Sequence, residues 1–419
     1  MQFSNFGQKF TAHSGILQLM RDLGTSQADG REMLMLGGGN PSQIPQVQLR
    51  LRERMEEILK HGDEFERMLG NYTIPQGSLT FNKTLAVLLH QEYGWQVDEN
   101  NIALTNGSQT AFFYLMNLFA GTYATGEKKK VLLPLAPEYL GYSDLGLEAD
   151  MFVANKPSIE FLDEHLFKYH VNFSELAITE EIGAICVSRP TNPTGNVLTD
   201  DEIKQLDILA RQHNIPFIID GAYGTPFPNI IFSDATPLWN ENIILCLSLS
   251  KLGLPAVRTG IIIANTRVIQ AISALNAIVS LAPTHIGAHI VEEWIHNRQI
   301  LRLSQQVIKP YYYSKMENAL RWLHEALDGL SFYVHKPEGA FFLWLWFKEL
   351  PITSQMLYER LKERGVLVVA GHYFFPGIAD ADWKHRHECI RINYAQTEFV
   401  VKQGIQIIAE VVREAYAGI

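Results

Sequence analysis

From about residue 100, short apolar runs rich in β-branched residues alternate with amphipathic helical stretches along the chain. This alternation is typical of parallel strands joined by crossover helices, so it predicts an α/β fold. Polar residues collect where several of these strands end, and open α/β sheets bind ligands at that carboxyl edge. The strand candidates are "NIALTN", "KKVLLPL", "IGAICVS", "IPFIID", "NIILCLSLS" and "RTGIIIAN".

After about residue 300 the pattern changes to a long helix, the apolar run "GAFFLWLWF", a second helix and the strand candidates "VLVVAG" and "CIRINYA". A chain of 419 residues is longer than a single hydrophobic core usually spans, so more than one domain is expected. We expect an N-terminal arm over residues 1–45 that contributes to the small domain and the substrate site. A large domain would cover residues 46–300 and a smaller α+β domain residues 301–419.

The charge balance argues against nucleic acid and anionic membranes as partners. The chain has 35 basic and 45 acidic residues, a net charge of −10, and its longest basic cluster is Lys128 to Lys130. No apolar run approaches the length that a membrane span needs. The three cysteines are far apart, and Cys186 and Cys246 lie inside apolar strand candidates, which is typical of a reducing compartment. We therefore expect a cytoplasmic protein.

Several strand-end residues are candidates for chemistry. Asp220 follows an apolar strand, and a buried carboxylate there requires a cation or hydrogen-bond donors; a helix cap or a loop acid is the alternative. Tyr223 could present its phenol to the same pocket. Asn192 lies between two prolines that hold the backbone rigidly, although the same segment would serve as an ordinary turn. Lys251, in "SLSKLGLPAVRTG", reads locally as a solvated loop lysine.

The segment "TNGSQ" lies between a strand and a helix. The backbone N–H groups of Gly107, Ser108 and Gln109 would therefore lie at the helix N-terminus, where anions bind. By itself this signal is weak, because many turns between a strand and a helix contain Gly and Ser.

In chain order, "TNGSQ", "NPTG", "DGAY", "SLSK" with a following arginine, and "RINYA" resemble the fold-type I pyridoxal phosphate enzymes of the class I and II aminotransferase family. The resemblance covers essentially the whole chain. It implies a large domain with a mostly parallel sheet flanked by helices, a smaller α+β domain and aminotransferase activity. It also implies pyridoxal 5'-phosphate as the cofactor and a homodimer with shared active sites.

The resemblance further implies a role for each strand-end residue. Lys251 would bond to the cofactor aldehyde and, once displaced by the substrate, would move the proton at the substrate α-carbon. Asp220 would pair with the pyridinium nitrogen. Asn192 and Tyr223 would donate hydrogen bonds to the ring oxygen.

The remaining cofactor contacts are also implied by the family. The turn at residues 107–109 would hold the phosphate together with Ser248 and Arg258, whose spacing from the lysine is one residue shorter than in the aspartate aminotransferase type. Tyr139 would stack on the cofactor ring, with a packed core tyrosine as the alternative. Tyr72 would cross the dimer interface to the neighbouring subunit's phosphate.

For the substrate, the resemblance assigns the α-carboxylate to Arg391, whose guanidinium can bind a carboxylate through two parallel hydrogen bonds. Gly39, in "GGGN", would let the backbone approach the same carboxylate, and Asn192 would contribute to this site. A surface arginine on a strand is the alternative for Arg391.

Further segments resemble family members that exchange an amino group between valine and pyruvate, giving 3-methyl-2-oxobutanoate and alanine. An aliphatic side chain needs an apolar pocket, and the candidates are Ile16, Leu17, Tyr72 and "HYFFPG" at 372–377. Arg189 would favour a dicarboxylate if it entered this pocket, so we interpret it as structural or paired.

Other functions stay open at this point. The family motifs also fit an aminotransferase with another donor, of the alanine, aromatic or aminoadipate type, and a fold-type I lyase. A cofactor-sensing module fused to a DNA-binding domain is disfavoured by the acidic balance and by the lack of a basic helix-turn-helix segment before residue 40. Lys251 argues against a catalytically silent protein. The segment "HRHEC" at 385–389 does not match a helix-borne zinc site, so no metal is predicted.

Overall fold

The N-terminal part of the chain is mainly helical. The computed structural model describes residues 1–12, 14–28, 33–380 and 382–418. The first elements are α1 (Asn5–Thr11), α2 (Gly15–Ala28), β1 (Leu34–Met35), α3 (Pro45–Lys60), α4 (Glu64–Gly70) and α5 (Leu79–Tyr93).

The alternating segment of the sequence forms the strands of the main sheet, two strands of a second sheet and two helices. Each predicted apolar run is a strand, and the polar residues that follow lie at the strand ends or just beyond them. The elements are β2 (Ile102–Thr105), α6 (Ser108–Phe119), β3 (Gly121–Thr122), β4 (Lys128–Leu133), β5 (Phe152–Ala154), β6 (Ser158–Phe161), β7 (Leu166–His170), β8 (Ile182–Ser188), α7 (Asp200–Gln212), β9 (Phe217–Asp220), β10 (Ile243–Ser248) and β11 (Gly260–Ile263).

The main sheet has eight strands in the order β2-β11-β10-β9-β8-β4-β3, with β5 also paired to β4. Every residue of β8, β9 and β10 is buried, as expected for parallel strands that are covered on both faces. β11 and β3 run opposite to the other strands. The connection between β10 and β11 contains only a short 3₁₀ turn, so β11 returns beside β10 without the crossover that a parallel strand needs.

The rest of the chain adds helices and a second sheet. α11 follows a π-helical turn, Ser304–Ile308. The elements are α8 (Thr266–Ser280), α9 (Ile286–His296), α10 (Gln299–Leu303), α11 (Lys309–Ala326), β12 (Tyr333–His335), β13 (Phe342–Trp346), α12 (Ser354–Glu363), β14 (Val366–Leu367), β15 (Val369–Ala370), β16 (Cys389–Asn393) and α13 (Glu398–Tyr416).

The second sheet has the order β15-β16-β13-β12-β7-β6, and most of its neighbouring strands are antiparallel. Strands β6 and β7 belong to this sheet although they lie within residues 46–300 of the chain. β1 pairs with β14, so the N-terminal arm joins an element from the C-terminal part. The domain boundaries given above remain a prediction, and these pairings show that the chain passes between the two sheets more than once.

Two helix starts follow from the local sequence. Thr199 caps α7 by a reciprocal bond with Glu202, as the sequence predicts. α6 begins directly after Gly107, whose φ of 88° lies in the region that favours glycine. Among the described helices, none combines the length and the apolar character that crossing a membrane requires.

Candidate active site

A cavity of about 460 Å³ lies at the carboxyl ends of β8, β9 and β10. Asp220 ends β9 beside Cys246 of β10, and the loops after these strands carry the other polar side chains. The structure therefore brings together most of the candidates found in the sequence. Those that line the cavity are Gly39, Ser108, Gln109, Tyr139, Asn192, Asp220, Tyr223, Ser248, Lys251, Arg258 and Arg391.

One wall of the cavity is the N-terminus of α6. In the part of the chain that the structure describes, the N–H groups of Ser108 and Gln109 have no acceptor, as is usual for the first turn of a helix. Gly107 is outside the lining, but a Cβ at this position would overlap the guanidinium group of Arg258. Backbone donors and a guanidinium therefore converge on one point of the wall, and only glycine leaves the space between them.

Arg258 is held without a carboxylate partner among the described residues. Its Nη1 atom donates to Pro255 O at 3.2 Å and lies 3.4 Å from Ser250 Oγ. Ser248 Oγ accepts from the Ser250 N–H at 3.2 Å. Arg258 also has a positive φ of 50°, which is uncommon outside glycine. The guanidinium is thus available for an anion at the N-terminus of α6.

Asp220 is buried at the base of the cavity, and burial raises the pKa of its carboxyl group. Hydrogen bonds oppose that effect: Tyr142 Oη donates to Oδ2 at 2.7 Å and the Ala222 N–H donates to Oδ1 at 3.0 Å. The charge of Lys251 also lowers the pKa of Asp220. These donors favour the ionised form that could hold a proton on a bound cation.

Lys251 follows β10 in a 3₁₀ turn, and its side chain is half-buried. Its Nζ atom donates to Gly39 O at 2.7 Å and lies 5.4 Å from the ring centre of Tyr223. Burial, together with the positive charges of Arg391 and Arg258, lowers the pKa of Lys251 to about 8. A substantial fraction of this amine is therefore neutral, and able to act as a nucleophile or a base, near physiological pH.

Arg391 of β16 lines the cavity and is almost completely buried. Its Nη1 atom donates to Asn192 Oδ1 at 2.7 Å, and Nη2 donates to Gly37 O at 2.6 Å. The guanidinium lies over the ring of Phe342, 4.2 Å from its centre. Burial lowers the pKa of Arg391 to about 10. A buried guanidinium with no carboxylate partner among the described residues is suited to an anionic substrate group.

Two buried side chains that contact residues lining the cavity were not predicted from the sequence. Tyr142, in the turn after β4, donates the hydrogen bond to Asp220 described above. Its ring also packs edge-on against Tyr139, with ring centres 5.3 Å apart. Glu138 is completely buried and accepts a hydrogen bond from the Ser188 N–H at 2.8 Å. Burial raises the pKa of Glu138 to about 8. The signal for Glu138 was its acidic side chain within the otherwise apolar turn "PLAPEYLGY".

The apolar pocket expected for the substrate side chain has a different composition. Leu17 lines a neighbouring cavity, Tyr72 is 86% exposed, and neither Tyr72 nor residues 372–377 line this cavity. The side chain of Ile16 lies outside the described residues. In this subunit α2 and the turn after β4 form the wall instead, and the role of Leu17, Tyr72 and residues 372–377 towards the substrate stays a prediction. The apolar side chains that line the cavity include Met20, Phe112 and Leu140.

Arg189 does not line the cavity. Its Nη2 atom forms an ion pair with Asp200 Oδ1 at 2.6 Å, and Nη1 donates to Thr236 O at 3.0 Å. This geometry agrees with the interpretation that Arg189 is paired and structural. The lining therefore contains no second arginine next to the Asn192 loop.

The segment at residues 385–389 serves packing. His385 is buried, its Nε2 atom contacts the hydroxyl of Tyr169, and burial lowers its pKa to about 3. Cys389 Sγ contacts the backbone carbonyl of His385 at 3.1 Å. Within the described ranges, no three His, Cys, Asp or Glu side chains are arranged to hold a metal ion.

The family model for class I and II aminotransferases matches residues 32–408, which is most of the chain. The chain belongs to this family. This aminotransferase is 54% identical over 420 residues to "Valine--pyruvate aminotransferase" of Escherichia coli K12, covering 100% of this chain and 99% of that protein.

Two solved structures are close to this aminotransferase over nearly its full length. A putative amino-acid aminotransferase from Psychrobacter arcticum is 48% identical with a TM-score of 0.98, covering 100% of both chains. A valine-pyruvate aminotransferase from Salmonella typhimurium is 52% identical with a TM-score of 0.89, covering 96% of this chain and 100% of the other.

Proposed function

We propose that this aminotransferase transfers the amino group of L-valine to pyruvate, giving 3-methyl-2-oxobutanoate and L-alanine, with pyridoxal 5'-phosphate as its cofactor. The observation that carries the proposal is the single cavity in which Lys251, Asp220 and Arg391 meet. An amine, a buried acid and a buried guanidinium supply separate partners for an aldehyde, a ring nitrogen and a substrate carboxylate. The full-length similarity to an enzyme named for valine and pyruvate supports the choice of substrates.

The α6 end of the cavity fits the cofactor phosphate. The free N–H groups of Ser108 and Gln109, the hydroxyl of Ser248 and the guanidinium of Arg258 would hold the anion. Gly107 keeps this point open, since a Cβ there would overlap the guanidinium. We therefore assign the phosphate to this wall.

The base of the cavity fits the cofactor ring. When bound, the cofactor supplies an electron sink that stabilises the charge left on the substrate α-carbon after deprotonation. Asp220 would hold the proton on the ring nitrogen, and Asn192 and Tyr223 would donate to the ring oxygen. Asn192 Oδ1 already accepts from Arg391, which leaves its amide donor for that oxygen. Tyr139 would stack on the ring.

Different residues of the cavity would handle the proton and the substrate carboxylate. Lys251, as a neutral amine, would take the proton from the substrate α-carbon and return it to the cofactor side. Arg391 would bind the substrate α-carboxylate through two parallel hydrogen bonds, with Gly39 and Asn192 beside it. The apolar side chains of Met20 and Leu140 would face the substrate side chain.

The proposal includes a cytoplasmic homodimer, with Tyr72 completing the partner's phosphate site. Tyr72 is 86% exposed, and Ile278 and Leu281 at the end of α8 are also strongly exposed apolar residues. Such exposure is unusual for large apolar side chains unless another surface covers them. The three buried cysteines are free thiols, which agrees with a reducing compartment.

The test of the reaction uses purified, cofactor-loaded enzyme and an excess of L-valine without an oxo acid. Conversion of the bound cofactor to its amine form, followed by absorbance and reversed by pyruvate, would support this donor and acceptor. A response to another amino acid only would contradict the donor. An irreversible product would indicate a lyase.

The test of the shared site mixes two inactive or weakened variants. In a hybrid of Lys251→Ala and Tyr72→Phe subunits, one of the two sites would regain both native residues. We expect such hybrids to bind the cofactor more tightly and turn over faster than Tyr72→Phe homodimers. Hybrids with only the average activity of the parents would show that Tyr72 does not reach the partner's site.

A further inference from the structure

The triglycine segment, residues 37–39, borders the cavity, and each of its carbonyl oxygens accepts a hydrogen bond from a different side chain. Arg391 Nη2 donates to the first carbonyl at 2.6 Å, and Lys251 Nζ donates to the third at 2.7 Å. Asn393 Nδ2 donates to the middle carbonyl at 2.6 Å. The first two donors already have roles in the proposed reaction, whereas Asn393 has none.

Asn393 is completely buried on β16, two residues after Arg391, so both side chains project from the same face of the strand. The Oδ1 atom of Asn393 accepts from the Ala395 N–H at 2.6 Å, and the backbone N–H of Asn393 donates to Leu36 O at 2.8 Å. Only one orientation of the amide satisfies both side-chain contacts. Asn393 therefore presents its amide donor to the triglycine segment in a single arrangement.

Hydrogen bonds to the carbonyl oxygens restrain this segment, whose glycines have no side chain to pack and can visit many backbone conformations. The segment runs close to other backbone: a Cβ on Gly37 would lie 2.8 Å from Val368 O. Larger residues therefore cannot replace the first glycine without a shift, and the direction of each peptide depends on its hydrogen-bond partner.

The peptide between Gly38 and Gly39 links the held carbonyl to a donor at the cavity. In a planar trans peptide the C=O and N–H bonds point in opposite directions. Holding Gly38 O towards Asn393 therefore directs the Gly39 N–H away from it, and Gly39 lines the cavity. Across the described parts of the chain this N–H has no acceptor, and a carboxylate oxygen would supply one.

We infer that Asn393 is a positioning residue for the substrate α-carboxylate. It holds the Gly38 carbonyl so that the Gly39 N–H faces the cavity on the same side as Arg391. One strand, β16, then supplies the guanidinium and orients the backbone donor for the same group. The inference rests on the proposed function, because it takes an α-carboxylate as the group bound at this subsite.

The binding test compares Asn393→Ala and Asn393→Ser with wild-type, cofactor-loaded enzyme. Serine keeps an oxygen that can accept from a nearby backbone N–H but is too short to reach Gly38. The probe is 3-methylbutanoate, which is valine without its amino group, titrated by calorimetry. We expect its Kd to rise about tenfold or more in both variants, as for loss of a hydrogen bond to a charged group.

Asn82→Ala is the matched control, because Asn82 is also completely buried and donates to a backbone carbonyl, Ile102 O, at 2.9 Å. It does not line the cavity. We expect the Kd of 3-methylbutanoate to stay unchanged in this variant. An equal rise in the control, or an unchanged Kd in both Asn393 variants, would overturn the inference.

A kinetic test separates positioning from a general loss of structure. In the Asn393 variants the KM for valine should rise while kcat changes little, and cofactor absorbance should match wild type. The slow single turnover of 2-methylpropylamine, which is valine without its carboxylate, should be the same in wild type and variants. An equal loss with this amine would show that Asn393 supports the site as a whole, contrary to the inference.

The outcomes for the donor and for Asn393 can be told apart. If the wild-type enzyme does not react with valine but binds 3-methylbutanoate or propanoate, only the proposed donor is contradicted. The Kd of the acid that binds can still be compared between wild type and the Asn393 variants. Wild-type enzyme that binds neither acid would overturn the carboxylate subsite and the role of Asn393 together.

Discussion

The hydroxyl group of Tyr142 donates a hydrogen bond to Oδ2 of Asp220 at 2.7 Å, and both residues are buried. This bond stabilises the ionised carboxylate, which burial alone would destabilise. Asp220 can hold a proton on a bound ring nitrogen only if its own pKa stays below that of the ring. Tyr142 therefore helps to keep Asp220 ionised at the base of the cavity.

We expect Tyr142→Phe to raise the pKa of Asp220 further, because the variant removes a donor but leaves the burial unchanged. The ring nitrogen would then lose its proton more readily, and kcat with valine should fall by about tenfold. The measurement is the pH profile of single-turnover kinetics with valine, together with cofactor absorbance.

Tyr114→Phe is the control for this substitution. Tyr114 is also buried, but its hydroxyl has no hydrogen-bond partner within the described structure. Its removal should leave both the rate and the pH profile unchanged. A normal profile in Tyr142→Phe would show that Asp220 is held in its ionised form by other groups.

Lys251 lowers the free energy of unfolding of the cofactor-free protein at neutral pH. The pKa of Lys251 in the folded protein is about 8, below the ordinary lysine value of 10.5 expected in the unfolded chain. Its protonated form is therefore disfavoured in the folded state. The cost is fully present below pH 8 and is lost as pH rises from about 8 towards 10.5. Lys251→Met should therefore raise the free energy of unfolding at pH 7 by up to about 3 kcal/mol.

Urea unfolding of both cofactor-free proteins at pH 7, 8, 9 and 10 tests this expectation. The stability difference should shrink as pH rises, and Lys402→Met on the exposed face of α13 should show no such trend. The Lys251 variant should also lose turnover and the absorbance of covalently bound cofactor. A constant stability difference across this range would show that the pKa of Lys251 is not depressed in the fold.

The main sheet could be predicted from the sequence because strands buried on both faces are nearly continuous apolar runs. β8 and β10 are examples, and both end at polar residues of the cavity. The reversed direction of β11 could not be predicted from its composition, since direction depends on the length and structure of the connection. The sequence of residues 158–170 does not indicate that they belong to the second sheet, because their pairing depends on a strand more than 150 positions later.

The cavity could be predicted only in part for a similar reason. Strand-end residues such as Asp220 and Lys251 meet because the carboxyl ends of neighbouring parallel strands lie together. Tyr142 and Asn393 reach the site through tertiary contacts with distant segments, and locally they read as an ordinary aromatic and an ordinary strand residue. The apolar wall from α2 could not be predicted either, since its position also depends on tertiary contacts, here the packing of the N-terminal arm.

We expect Asp220→Ala to lower the rate of the valine half-reaction by about three orders of magnitude, because it removes the group proposed to keep the ring nitrogen protonated. Stopped-flow absorbance with cofactor-loaded enzyme measures this rate directly. Asp207→Asn, at another buried acid outside the cavity, is the control and should react normally. Near-normal turnover of Asp220→Ala would mean that another group holds the ring proton.

Donor preference should not depend on Arg189. Arg189→Ala removes the ion pair with Asp200 and the bond to Thr236 O, so the free energy of unfolding should fall by about 1–3 kcal/mol. The ratio of kcat/KM for valine to kcat/KM for aspartate should stay as in wild type, because Arg189 does not line the cavity. Asp200→Ala is the matched variant and should show the same pattern. Loss of activity with glutamate or aspartate in Arg189→Ala, without any gain with valine, would instead place this arginine in substrate recognition and contradict the aliphatic donor.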